Sequence, residues 1–381
     1  MVNIPRMFLR YQQSPANHLE SSDSSAYSSS TTSSHLSLTP IHEKPTLPRR
    51  QLLSPFYSGI LPAEIRTLIF TYALTPTAHP IIPAYDPNTN FCRPGDTHPI
   101  KVHTALLSTC RRIYHETYHL PAHLFPHRFY CFREPAGLST RLFNNPDAYF
   151  ARFQPWQCAL VTRVTFSTQM FWLEDRFPSV CANRYLQHVT ELKIVIRRGD
   201  WWWNERNERL AIDPYRGKGQ DFDEVQDYMR KPVGERSWQE RRWGAALERL
   251  GRLRVLEMEF ETSEDKRAEL ERVVEWARSW EFPMGERGVL SMRKVERKRK
   301  RDQRDMGPVE YEEVRSWEWR GKTVHWSEQC PYCRSHSCRN SLEKCREKSE
   351  LKRRGKGPML LVKCCKWTLM AGEPKVVDEK A

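Results

Sequence analysis

Three short stretches in the middle of this chain share one spacing of apolar residues, and any fold must bury all three. They are Val161, Val164 and Phe166 in LVTRVTFS; Val189, Leu192, Ile194 and Ile196 in VTELKIVI; and Leu253, Leu256, Met258 and Phe260 in LRVLEMEF. Each reads apolar-x-x-apolar-x-apolar, which is a strand with one buried face approached through a tight bend. Candidate helices precede the second and third, around Tyr185 to His188 and Trp238 to Leu250. Equivalent positions (Val164, Leu192, Leu256) are separated by 28 and then 64 residues.

Two architectures accommodate this. One is a degenerate stack of strand-and-helix units with leucine-rich-repeat-like strands. The other is an ordinary α+β sheet whose strands share an alternating face. Both place a mixed sheet and helix body at residues 145–326. Within it, residues 264–281 predict a long helix with Leu270, Val273, Val274 and Ala277, then Trp280 or Phe282, on its buried side. Acidic residues in its first turn suit the helix dipole. Beyond it, FPMGERGVLSMRKVE and EYEEVRSWEWRGKTVHW read as two strands, and their order suggests a hairpin with the intervening basic run at its tip.

Composition separates this body from the ends. The chain is 39% hydrophobic, below the usual share for a compact domain, because its first and last fifty or so residues are polar. Residues 1–50 include the run SSDSSAYSSSTTSS, which cannot bury enough surface to offset its ordering entropy and is expected to be disordered. Residues 327–381 form a basic, cysteine-containing tail, expected to be poorly ordered. The net charge of +14 favours acidic or phosphate-bearing partners. Much of it is local, since Arg293 to Arg304 holds eight basic residues against two acidic ones. Eleven cysteines, an odd number, with no secretory signal ahead of them, fit a reducing compartment. An intracellular protein, cytoplasmic or nuclear, is expected, and no run of about 18 apolar residues is present to span a membrane.

Ahead of the body lie LPAEIRTLIFTYAL (Leu61 to Leu74) and ALLSTCRRIYHETYHL (Ala105 to Leu120), joined by a proline-rich gap. Pro62 suits a helix start, and Ile65, Leu68, Ile69 and Tyr72 recur at i, i+3, i+4 and i+7 as a single apolar stripe. In the second segment Leu106, Cys110, Ile113 and Thr117 share a face, with Leu107, Tyr114 and Tyr118 beside it, and Pro121 is expected to stop it. Two short amphipathic helices burying a shared face are the expectation. The pattern LPxEIRxxIxxYAL, a proline-rich gap, then ALLxTCRxIYxET resembles the F-box-like domain family of filamentous fungi. The best-fitting positions are Leu61, Pro62, Glu64, Ile65, Arg66, Leu107, Cys110, Arg111, Tyr114 and Glu116, and the likeness covers residues 52–135. It implies a protein-interaction module, not a catalyst, that binds a ubiquitin-ligase adaptor through the face around Leu61, Pro62 and Ile65. The sequence departs from the family in offering no evident third helix before Pro121.

Catalytic patterns are missing from the sequence. The GKG at Gly217 to Gly219 lacks a phosphate-loop context, and there is no nucleophile elbow, zinc-protease helix or kinase set. No catalytic, cofactor-binding or metal-binding residues are therefore assigned, and no cofactor is expected. His115, His119, His123 and His127 recur every four residues, either a metal stripe or the polar side of a helix; Pro121 interrupts the spacing and favours the second. Cys330 and Cys333 in CPYCRSHSC, with Cys338 and His336 or Cys345, have zinc-like spacing but lack a second matching pair; Cys364 and Cys365 are alternatives. KVERKRKRDQR is either a nuclear-import signal or a solvated loop. Trp201, Trp202 and Trp203 are either a stacking platform or packing, and indoles bury by preference. A nucleic-acid-associated role for the 293–304 run and these tryptophans is the alternative function.

Overall fold

A computed structural model of the chain describes residues 53–85, 92–131, 145–204, 208–215, 243–293, 313–321, 357 and 359–370. The Ser-rich segment of residues 1–50, the basic run beyond Arg293, and Cys330, Cys333, His336, Cys338 and Cys345 lie outside the described residues. The protein is α+β, with a mixed sheet and several helices. The described residues divide into two compact units, one from those up to Thr75 together with Val102–Pro121, the other from those in Pro76–Lys101 and from Ala122 onward. No described helix is long and apolar enough to cross a membrane.

The first unit is built on α1, Ala63–Leu74. Pro62 stands immediately before it with φ −56° and ψ 154°, one residue earlier than the sequence pattern implies. Thr75 is extended at the other end, and Pro76, with no N–H to donate, prevents continuation. The single short helix expected from Ala105 to Leu120 is corrected by the structure. A 3₁₀ turn, Ala105–Ser108, is followed by a break at Cys110 (φ −158°, ψ 160°) and then by the seven-residue α2, Arg111–Thr117. The break has a local cause, because the Cys110 thiol accepts the Ile113 N–H at 3.5 Å and so caps a new helix. Nor does Pro121 end the helical course, since it lies inside the short turn α3, Leu120–Leu124. Near a helix start the missing proline N–H costs nothing.

The second unit contains an eight-stranded sheet. Its strands are β3 (His127–Tyr130), β4 (Arg163–Ser167), β5 (Glu191–Ile196), β6 (Val255–Ser263), β10 (Met359–Met370), β8 (Val289–Ser291) and β7 (Phe282–Pro283), in that order, with β9 (Arg315–Arg320) alongside β10. A separate pair, β1 (Thr77–Ala78) and β2 (Ile100–Lys101), lies outside it. Strands β3 to β6 are parallel, and the pairings of β10 are all antiparallel. The three apolar stretches are thus adjacent and in register, Val164 beside Leu192 and Leu192 beside Leu256. Their approaches repeat as well. The N–H groups of Thr190 and Glu191 donate to the Thr162 carbonyl, and those of Arg254 and Val255 donate to the Thr190 carbonyl. Val161, Val189 and Leu253, each three residues before its strand position, are fully buried.

One face of this sheet is the core. Phe129, Phe166, Ile194, Met258 and Phe260 alternate inward along the parallel strands, each contributing about 1.5–3 kcal/mol by burial. Short helices α4 (Pro146–Phe150), α5 (Pro155–Ala159), α6 (Met170–Asp175) and α7 (Phe177–Cys181) supply Tyr149, Phe150, Trp172 and Phe177 to this layer. Helix α8 (Trp243–Ala246) and α9 (Arg267–Arg278) cover the rest, with Leu270, Val273, Val274 and Ala277 buried as their spacing requires. Trp280 and Phe282, which follow α9, are both in the core, and Trp280 stacks on Trp367 at 5.8 Å and 9°.

Three domain-level expectations are corrected here. β8 and β9 do not pair with each other as a hairpin; each pairs with β10. The tail beginning at residue 327 is not poorly ordered throughout, because Met359–Met370 is a twelve-residue strand at the middle of the sheet. And the helical region does not reach residue 135: β3 is hydrogen-bonded to β4, which assigns it to the sheet unit.

Candidate interaction surface

Helix α1 has two apolar sides. Successive residues turn by about 100°, so Ile65, Leu68, Ile69 and Tyr72 fall within one arc and Phe70 and Leu74 lie opposite. Phe70 and Leu74 are buried, with the Phe56 ring stacked on Phe70 at 5.6 Å. Ile65, Leu68, Ile69 and Tyr72 are 44%, 51%, 38% and 74% exposed. The stripe expected to be buried is therefore open to solvent. Its alignment is as the sequence pattern predicts, but the core is supplied from the other side.

Charged groups hold α1 in this orientation. Arg66 donates to the Leu61 carbonyl at 3.0 Å and pairs with Glu116 of α2 at 3.4 Å. The buried Tyr57 ring lies between the Arg66 and Arg112 guanidiniums, 5.2 and 3.9 Å from its centroid. Burial first, and then the Glu116 charge, push the Tyr57 phenol up to about 12. Of the residues assigned from the sequence to partner binding, Ile65 and Pro62 are exposed, while Leu61 is half-buried with its carbonyl engaged. Leu68, Ile69 and Tyr72 complete the surface. The signal that could have found them is the presence of Phe70 and Leu74, since a helix apolar on opposite sides cannot bury both in a small unit.

The other candidate sites disperse. Trp201 is buried against Phe260, and its indole N–H donates to the Glu261 carbonyl at 2.8 Å. Trp202 donates to Glu174 at 2.9 Å, and Trp203 is half-exposed at φ 50°. Trp202 and Trp203 lie ring against ring, centroids 6.1 Å apart, but with Trp201 buried the three do not form one exposed platform. His127 is not on a helix with the other histidines but inside β3, fully buried among aromatic rings.

The polar face of the sheet carries the densest chemistry. Glu257, Glu259 and Glu261 alternate along β6 on that side, and Glu257, Glu259 and Cys364 bring ligand atoms within 4.8 Å of one another. Cations already occupy the cluster. Lys193 sits 2.8 Å from Glu257 and also contacts Glu259, and Arg315 lies 2.7 Å from Glu257 and 3.4 Å from the Cys364 sulfur. Burial works to raise the Glu257 carboxyl, but Lys193, with Arg315, outweighs it and holds the group below its usual value. Burial and then Glu257 push the Cys364 thiol up to about 12, so it stays protonated at neutral pH. The carboxylates of this cluster are thus paired with Lys193 and Arg315 in an internal ion-pair network, with the Cys364 thiol beside it.

Comparison with family models, with curated proteins and with solved structures finds no match to this chain.

Proposed function

We propose that this chain is a non-enzymatic protein-interaction protein of F-box-like type, whose α1 stripe docks a ubiquitin-ligase adaptor. The observation that carries the reading is four large apolar side chains at i, i+3, i+4 and i+7, all exposed on a helix whose other side is anchored. Soluble chains rarely leave such a row uncovered, and the spacing is the one by which helices enter apolar grooves. The Leu61–Pro62 turn leads into the helix beside this row, as the family resemblance requires. The sheet unit, with its leucine-rich-repeat-like parallel strands, would then select the protein brought to the adaptor.

The test is capture of a purified ubiquitin-ligase adaptor by the full chain and by an Ile65→Asp, Leu68→Asp double variant. The reading expects binding by the first and its loss in the second, with unchanged circular dichroism. Equal binding by both, or by neither, would sink it.

A further inference from the structure

Apolar burial alone would turn helix α1 the other way. Its two apolar sides are unequal, with Ile65, Leu68, Ile69 and Tyr72 on one and Phe70 and Leu74 on the other. The transfer of apolar surface out of water is non-directional and scales with area, so the row of four has more to gain than the pair. Yet Phe70 and Leu74 are buried and the row stays open. A directional set of contacts must therefore hold the helix at this roll about its axis.

Those contacts begin at Phe56 and Tyr57, in a turn closed by the Tyr57 and Ser58 N–H groups on the Ser54 carbonyl. Phe56 meets Phe70, ring on ring at 5.6 Å. One helical turn earlier, on the same side of α1, the Arg66 guanidinium lies over the Tyr57 ring, 5.2 Å from its centroid. Arg112 of α2 lies over the same ring at 3.9 Å. Glu116 ties the two guanidiniums together, 3.4 Å from Arg66 and 3.9 Å from Arg112. Turning α1 by a single residue step, about 100°, would carry Arg66 off Tyr57 and Glu116 at once. The Tyr57 hydroxyl takes no part in this. It is buried with no hydrogen-bond partner among the described residues, a cost that phenylalanine would avoid. The two arginines use the ring.

We propose that Tyr57 is the positioning residue of α1: its ring, held by Arg66 and Arg112, sets the roll of the helix and so keeps the apolar row open. That the open row serves docking rests on the function proposed above; the roll itself does not.

Hydroxyl-radical footprinting of the full chain, read residue by residue by mass spectrometry, tests it. In the unaltered protein Leu68 and Tyr72 should be oxidised readily, with Phe70 and Leu107 protected. Tyr57→Leu keeps an apolar side chain but no ring. It should slow Leu68 and Tyr72 and speed Phe70, each about threefold or more, as loss of two cation–π contacts predicts. Arg112→Met removes one of these contacts and should shift the same residues in the same directions, which covers the case in which Tyr57→Leu does not fold. Tyr57→Phe keeps the ring and should leave every rate as it was. Unchanged rates at Leu68, Tyr72 and Phe70 in whichever of the first two variants folds, a rise shared by Leu68, Phe70 and Leu107 alike, or the same shift in Tyr57→Phe, overturns the proposal. Adaptor capture by the same proteins separates the two readings. An unaltered chain that captures no adaptor, with footprints that shift as stated, ends the docking reading and leaves Tyr57 in its role.

Discussion

Ile65 and Phe70 stand five residues apart on one helix and face opposite ways, the first 44% exposed and the second 2%. The two should therefore respond differently to change. Phe70→Ala is expected to cost about 3–5 kcal/mol through the cavity it leaves beneath Phe56. Ile65→Asp should change stability by only about 0.5 kcal/mol, as surface substitutions do. Urea unfolding of both variants checks this, and a large loss in Ile65→Asp would mean that its side chain is covered in solution.

His127 predicts an acid-sensitive step. Its Nε2 lies 2.9 Å from the Ala122 carbonyl, which can only accept, so Nε2 carries the proton and Nδ1 accepts from the Tyr149 hydroxyl at 3.0 Å. Burial lowers the ring to about 4, against the small upward pull of the Ala122 bond. A folded value below the unfolded value of 6.5 means stability is fully present above pH 6.5 and declines as pH falls from there to about 4. The loss should reach roughly 3 kcal/mol. Urea midpoints measured across that window should fall in the unaltered protein, with this component missing from His127→Phe.

Lys193 is the cation shared by Glu257 and Glu259. Lys193→Met should leave two carboxylates facing each other and cost about 1–3 kcal/mol, discounted because its side chain is one-third exposed. Adding Glu259→Gln should recover part of that loss, and the coupling in a double-mutant cycle measures the pair. Additive losses would show that the lysine and the carboxylate do not interact.

Trp367 carries the inward face of β10, stacked on Trp280 and donating to the Trp280 carbonyl at 3.2 Å. Trp367→Ala should cost about 3–5 kcal/mol. Ending the chain before Met359 should abolish cooperative unfolding, since β6, β8 and β9 all pair with the missing strand. A truncated chain with the same unfolding midpoint would contradict the place of β10 in the sheet.

The ion pairing on the polar face joins residues far apart in the sequence, and local pattern could not reveal it. Glu257, Glu259 and Glu261 are visible as an alternating row in LEMEFE. Their partners Lys193, Arg93 and Arg315 come from 58 or more residues away, on elements whose register no local pattern encodes. The Trp201 contact with the Glu261 carbonyl is hidden for the same reason.

Local periodicity alone determined the inward residues of β4, β5 and β6, the buried side of α9 and the alignment of the α1 stripe, because side-chain direction follows from helical or strand repeat. It could not decide what covers each face. MLLVKCCKWTLM looked like part of a basic tail, yet antiparallel pairing with β6 makes it a central strand, and β3 passes from the helical region to the sheet by pairing with β4. The open side of α1 was settled likewise, by Phe56, Tyr57, Arg112 and Glu116 gathering on its other side. A repeat divides an element into faces; only the neighbours that the chain brings back from a distance determine which face meets water.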